Sequence, residues 1–109
     1  MKKIEKPWGF ETIWANCEKY VGKILHIRKG NRLSKQYHQV KEETIYVLSG
    51  TLYNMDNNNN IIKILEGESF HVYPHQIHRF CAKESDVILV EVSTPHLDDV
   101  VRLEDDYNR

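Results

Sequence analysis

The apolar stretches of this sequence are short, and that limits the chain more than any other feature. Runs rich in Ile, Val, Tyr and Thr are broken by Gly, Pro or Asn before they reach the length of a stable helix. That is the signature of consecutive strands. The pattern predicts strands near Glu11–Trp14, Tyr20–Arg28, Ser34–Gln39, Glu43–Ser49, Thr51–Met55, Ile61–Leu65, Ser69–Tyr73, His78–Ala82 and Val87–Ser93. Gly50 joins two of them tightly, and the run Asn57–Asn60 closes the next hairpin because Asn tolerates left-handed backbone. The acidic stretch Leu97–Tyr107 is expected to form a short C-terminal helix or tail. So many short strands in 109 residues predict an all-β barrel or sandwich, with residues 1–109 as a single domain.

A net charge of −1 gives no reason to expect nucleic acid or an anionic membrane as partner. No apolar run approaches the ~20 residues of a membrane span. Lys2 and Lys3 are followed by Glu5, Lys6 and Pro7 where a signal peptide would be apolar, so a cytoplasmic location is expected. Cys17 and Cys81 form no CxxC pair, and both are expected to be buried reduced thiols.

Side chains at i and i+2 of a strand share a face. Gln36 and His38 form such a pair, and Glu43 shares a face with Ile45 and Val47. A carboxylate among inward aliphatics is costly to bury unless it is paired or bound to metal. His78 opens a later strand and shares its face with Phe80. Together Gln36, His38, Glu43 and His78 offer imidazole nitrogens, a carboxylate and an amide oxygen. Such a set suits one divalent zinc, cobalt, manganese, iron or nickel ion better than calcium. The same spacing also fits polar residues at strand ends, and alternation alone leaves both readings open. Lys23 lies on a face with Val21, Leu25 and Ile27, and Glu91 on a face with Leu89, which makes both candidates for proton transfer. Alternation points Arg79 outward from the face of His78. It also turns Tyr37, Tyr46 and Tyr53 toward an aromatic outer surface.

These residues resemble a known family. The stretch from Gly30 through Gln36, His38 and Glu43 to Gly50 is similar to the first cupin motif, with Gln36 in the place of the usual first His. Gly67 to His78 resembles the second motif, which ends in the fourth ligand. Mannose-6-phosphate isomerases of the cupin superfamily carry Gln, His, Glu and His as ligands. The Lys6-Pro7-Trp8-Gly9 opening, the Leu33-Ser34-Lys35-Gln36-Tyr37-His38 run and the Asp99–Arg109 ending resemble the isomerase domain of bifunctional mannose-1-phosphate guanylyltransferase/mannose-6-phosphate isomerases. The His-His and Arg usual after the second ligand are here Gln39-Val40 and Lys41, and His75 stands where a Gly is usual.

The resemblance implies a double-stranded β-helix, a jelly-roll-like cupin barrel, that holds one divalent metal. It also implies the interconversion of mannose 6-phosphate and fructose 6-phosphate, and a homodimer. It implies roles for Lys23 and for Arg102, which matches the family's C-terminal Arg, with Glu91 as a further candidate base. Arg32, Lys41 and His75 are candidates for substrate contact. The alternatives are a non-catalytic sugar- or metal-binding module, which Lys41 in place of Arg favours, and a metal-dependent cupin dioxygenase, which Gln36 disfavours.

Overall fold

Hydrophobic alternation sets most of the strands. The computed structural model describes residues 1–109 and contains strands but no helix. In chain order they are β1 (Lys2–Lys6), β2 (Gly9–Asn16), β3 (Val21–Ile27), β4 (Lys35–Tyr37), β5 (Glu43–Ser49), β6 (Leu52–Met55), β7 (Ile61–Ile64), β8 (Ser69–Val72), β9 (Arg79–Ala82), β10 (Val87–Ser93) and β11 (Val101–Glu104). A six-stranded sheet runs in the order β1-β2-β3-β10-β5-β8. Opposite it stand a three-stranded sheet, β7-β6-β9, and a two-stranded one, β11-β4. All pairings are antiparallel. Isolated bridges from Arg32 to Cys81 and from Gln36 to His78 tie β4 and its approach to β9. No helix of the structure is long and apolar enough to cross a membrane.

The inner face of the large sheet changes character along its strands. In register, Leu25 faces Leu89, which faces Val47, and this row joins Ile27, Ile45, Val87, Leu52, Val72 and Phe80 in the core. Each such aliphatic gains roughly 1.5–3 kcal/mol on burial. One step along, Lys23 faces Glu91, and the next row pairs Ser93 with Glu43. The barrel is therefore apolar at one end and charged at the other, with Trp8 part of the core.

Several expectations need correction. Leu97–Tyr107 forms no helix; it contains β11, which pairs with β4. The acids that suggested a helix meet cations on the barrel instead, Glu104 at Lys35 and Asp106 at Arg32 and Arg79. The strand foreseen over Ser34–Gln39 is confined to Lys35–Tyr37. β1 was not foreseen, because Ile4 is its only aliphatic residue. Arg79 does not point outward. Every residue of β9 is buried, and the Arg79 guanidinium, 2% exposed, donates to the Leu33 carbonyl at 2.9 Å and to Asp106 at 3.0 Å. Tyr53 is likewise buried, with its hydroxyl donated to Glu84, whereas Tyr46 is exposed as expected. Cys81 is buried but Cys17 is exposed.

Gly9 supports one prediction. A Cβ at Gly9 would sit 1.8 Å from the His26 carbonyl oxygen, and that atom belongs to the paired backbone of β3. Gly9→Ala is expected to cost about 3 kcal/mol in urea unfolding. Gly30→Ala has no atom within 4 Å of its new methyl and carries only left-handed strain at φ +79°, about 1–2 kcal/mol.

Candidate metal centre and cavity

Where β4, β5 and β9 come together, three side chains converge. His38 follows β4, Glu43 opens β5, and His78 immediately precedes β9. Their donor atoms all lie within 4.8 Å of one another, and all three residues are buried. Glu43 Oε1 is 3.1 Å from His38 Nε2 and 3.6 Å from His78 Nε2.

The hydrogen bonds behind the rings show what this triad is suited to hold. His38 Nδ1 lies 2.6 Å from the Asp99 carbonyl oxygen, and His78 Nδ1 lies 2.9 Å from that of Gln76. A carbonyl only accepts, so each Nδ1 carries the proton and donates it. The Nε2 atoms then face the Glu43 carboxylate, as a lone pair where the ring is neutral and as a donor where it is protonated. Burial pushes the His78 imidazole below its ordinary pKa, against the pull of Glu43, and favours its neutral form. Such a convergence in a buried space is balanced by a cation among the three atoms or by a proton on an Nε2 atom. Nδ1-anchored imidazoles with inward Nε2 atoms are the arrangement seen in metal-ligating histidines. The donor set fits a divalent ion of the zinc, cobalt, manganese, iron or nickel group.

Gln36 stands beside this triad. Its backbone exchanges both hydrogen bonds with His78, at 3.0 and 2.9 Å, and its amide oxygen accepts from Ser34 Oγ at 2.7 Å. Gln36, His38 and Glu43 line a cavity of about 100 Å³, which Lys23, Lys41 and Glu91 also line. Arg102, the register partner of Gln36, lines the same cavity and forms no ion pair. Two other candidates lie elsewhere. Arg32 is paired with Asp106 at 2.7 Å, outside the cavity. His75 is exposed in the turn before His78 at φ +67°, and only its backbone N–H reaches His38, through the carbonyl at 2.6 Å.

The charged wall is a linked set. Lys41 Nζ lies 3.2 Å from Glu91 and 3.8 Å from Glu43. Burial and the neighbouring Glu43 charge push the Glu91 carboxyl up to about 8, so at neutral pH it holds a proton that Glu43 can accept. Burial also pushes Glu43 up. Hydrogen bonds from His38 and Glu91 and the Lys41 charge outweigh it, and Glu43 stays well below the carboxylate range. Burial would lower the Lys41 ammonium, but Glu91 and Glu43 overcome it and raise it. Lys23 is held by Glu11 at 3.3 Å, and Lys6 approaches the same carboxylate at 3.8 Å.

Glu11 and Asp99 were missed in the sequence. Glu11 was detectable, since it shares an inward face with Gly9 and Ile13 just as Glu43 does with Ile45 and Val47. Asp99 gave no signal, because its partners are backbone groups.

Comparison with known proteins fits this geometry. The family model for the mannose-6-phosphate isomerase C-terminal domain matches residues 1–105. The chain belongs to this family. Its fold is the cupin double-stranded β-helix, shared with KdgF from Halomonas sp. at a TM-score of 0.79 and 17% identity, over 90% of this chain and 89% of that one. A cupin-like protein from Thermotoga maritima superposes at 0.77 with 14% identity, over 88% of this chain and 76% of that one. A sugar phosphate isomerase of the cupin superfamily from Silicibacter pomeroyi superposes at 0.63 with 16% identity, over 70% of this chain and 50% of that one. No curated protein matches the sequence.

If the triad binds metal, Glu43→Gln and His78→Ala are expected to weaken zinc binding by more than about 100-fold, since even outer-layer partners contribute 10–100-fold. His26→Gln alters a histidine held by Asp86 and should leave binding unchanged. Competition against a chromophoric chelator measures both.

Proposed function

We propose that this protein is a metal-dependent sugar-phosphate isomerase that interconverts mannose 6-phosphate and fructose 6-phosphate. One observation carries the reading: two members of the donor triad, His38 and Glu43, line one cavity together with Gln36 and the unpaired guanidinium of Arg102. The family to which the chain belongs supports it.

A divalent ion held by His38, Glu43 and His78, with Gln36 beside them, would act as a Lewis acid on the sugar's oxygens at C1 and C2. The chain's own groups supply the rest. Aldose–ketose isomerisation removes a proton from C2 and returns one to C1, while a hydroxyl proton passes between the two oxygens. Glu91 lines the cavity and contacts Lys41; a cation at Glu43 would offset the charge that helps to keep the Glu91 proton in place, and Glu91, once ionised, would carry the carbon-bound proton. Lys23, fixed against Glu11, and Lys41, fixed between Glu43 and Glu91, present ammonium groups to the developing negative charge. Arg102 has its donors free for a phosphate, whose oxygens a guanidinium can engage in bidentate fashion.

A second reading, a non-catalytic sugar-binding module, draws on one observation. Lys23 and Lys41 are both engaged in ion pairs, with Glu11 and Glu43 respectively. The two readings separate in deuterated water with mannose 6-phosphate and divalent metal. An isomerase places deuterium at C1 of the fructose 6-phosphate formed; no exchange with zinc, cobalt, manganese, iron or nickel would overturn catalysis. Arg102→Ala is expected to raise KM for the phosphorylated sugar about 10–100-fold, the worth of one charged hydrogen-bonded contact, with a smaller change in kcat.

A further inference from the structure

The turn that carries the candidate ligands is built on a residue from the far end of the chain. His38 begins this turn, Lys41 lies within it and Glu43 ends it. Asp99 Oδ1 accepts the Gln39 N–H at 3.0 Å, and its Oδ2 accepts those of Val40 and Lys41 at 2.7 and 2.8 Å. The Asp99 carbonyl takes the His38 Nδ1 proton at 2.6 Å. Four consecutive residues, 38 to 41, thus hang on one side chain and its own peptide. The remaining residue of the turn is held by a neighbour of Asp99: the Glu42 N–H donates to Thr94 Oγ1 at 3.1 Å, and the Thr94 N–H donates to the Glu42 carbonyl at 3.0 Å.

Successive backbone N–H groups aimed at one carboxylate form an anion cradle that is strong for its size. Here the anion is covalently part of the segment that also orients a ligand ring. Beyond Asp99 that segment is fastened to the barrel by β11 and by Asp106, which binds both Arg32 and Arg79. The segment therefore cannot lift from the turn without releasing the His38 ring and the backbone that positions Lys41.

We infer that Asp99 is a positioning residue for the metal centre, one that couples docking of the Thr94–Val100 segment to the orientation of His38. The inference rests on the reading of His38, Glu43 and His78 as a metal site, and it is independent of which reaction follows. Coupling of this kind is reciprocal. Metal binding tightens the segment against the turn, and loss of the Asp99 carboxylate weakens metal binding although no ligand has changed.

Zinc or cobalt titration of the full chain tests this, with thermal unfolding of the metal-free proteins as the measure of folding. Asp99→Ala is expected to lower affinity about 10–100-fold, the range for partners behind a metal ligand. Asp99→Asn keeps an acceptor oxygen and should fall between Asp99→Ala and wild type; it carries the test alone if the alanine variant unfolds. Hydrogen exchange at the Gln39, Val40 and Lys41 amides should slow on zinc addition in the wild type, and slow less in the variant. Wild-type affinity and unaltered zinc-induced protection in a folded Asp99 variant would overturn the inference while leaving the metal site intact. A wild-type chain that takes up neither zinc nor cobalt would overturn the metal site and the inference with it.

Discussion

A carboxylate that is 3% exposed cannot remain charged without compensation, and the charged end of this barrel is arranged around that of Glu43. Two imidazoles approach one of its oxygens and the Lys41 ammonium approaches the other. Each of these partners needs support of its own. His38 is held by the Asp99 carbonyl, His78 by the Gln76 carbonyl, and Lys41 by Glu91. Glu91 avoids a second buried negative charge by keeping its proton. Two carboxyls so close cannot both ionise cheaply, and their environments divide the roles between them.

The apolar end of the barrel makes this polar end possible. Rows built on Leu25, Leu89 and Val47 hold the sheet in register, and Lys23, Glu91 and Glu43 inherit inward directions from the same alternation. A slip of one residue would turn every inward charge to solvent and every core aliphatic outward. The core thus acts on the site chiefly by direction, fixing where a few charged groups point.

Much of this was legible beforehand, and the reason is local. Alternation along β3, β5 and β10 depends only on neighbours in sequence. It placed Lys23, Glu43 and Glu91 inward beside aliphatic residues that are indeed core. Alternation failed where strands are covered on both faces or have almost no apolar residues. Arg79 lies in a strand buried on both sides, so a period of two carries no information there. β1 is charged except for Ile4, and only its pairing with β2 makes it a strand. The acidic C-terminal stretch resembled a helix because its partners, Lys35, Arg32 and Arg79, stand far back in the chain.

The sequence by itself determined that the chain folds from short strands, that its inward faces mix aliphatic with ionisable groups, and that His38, Glu43 and His78 carry metal-capable atoms at or beside the ends of those strands. Those properties follow from residue type and period. Only the tertiary structure decided which atoms of the rings face inward, because each Nδ1 is fixed by a carbonyl from another part of the backbone. It also decided that Arg102 lines the cavity while Arg32 turns to Asp106, and that Asp99 supports the ligand turn. Each of these depends on contacts between segments distant in sequence, or on backbone groups that every residue carries alike, and neither leaves a mark on the order of side chains.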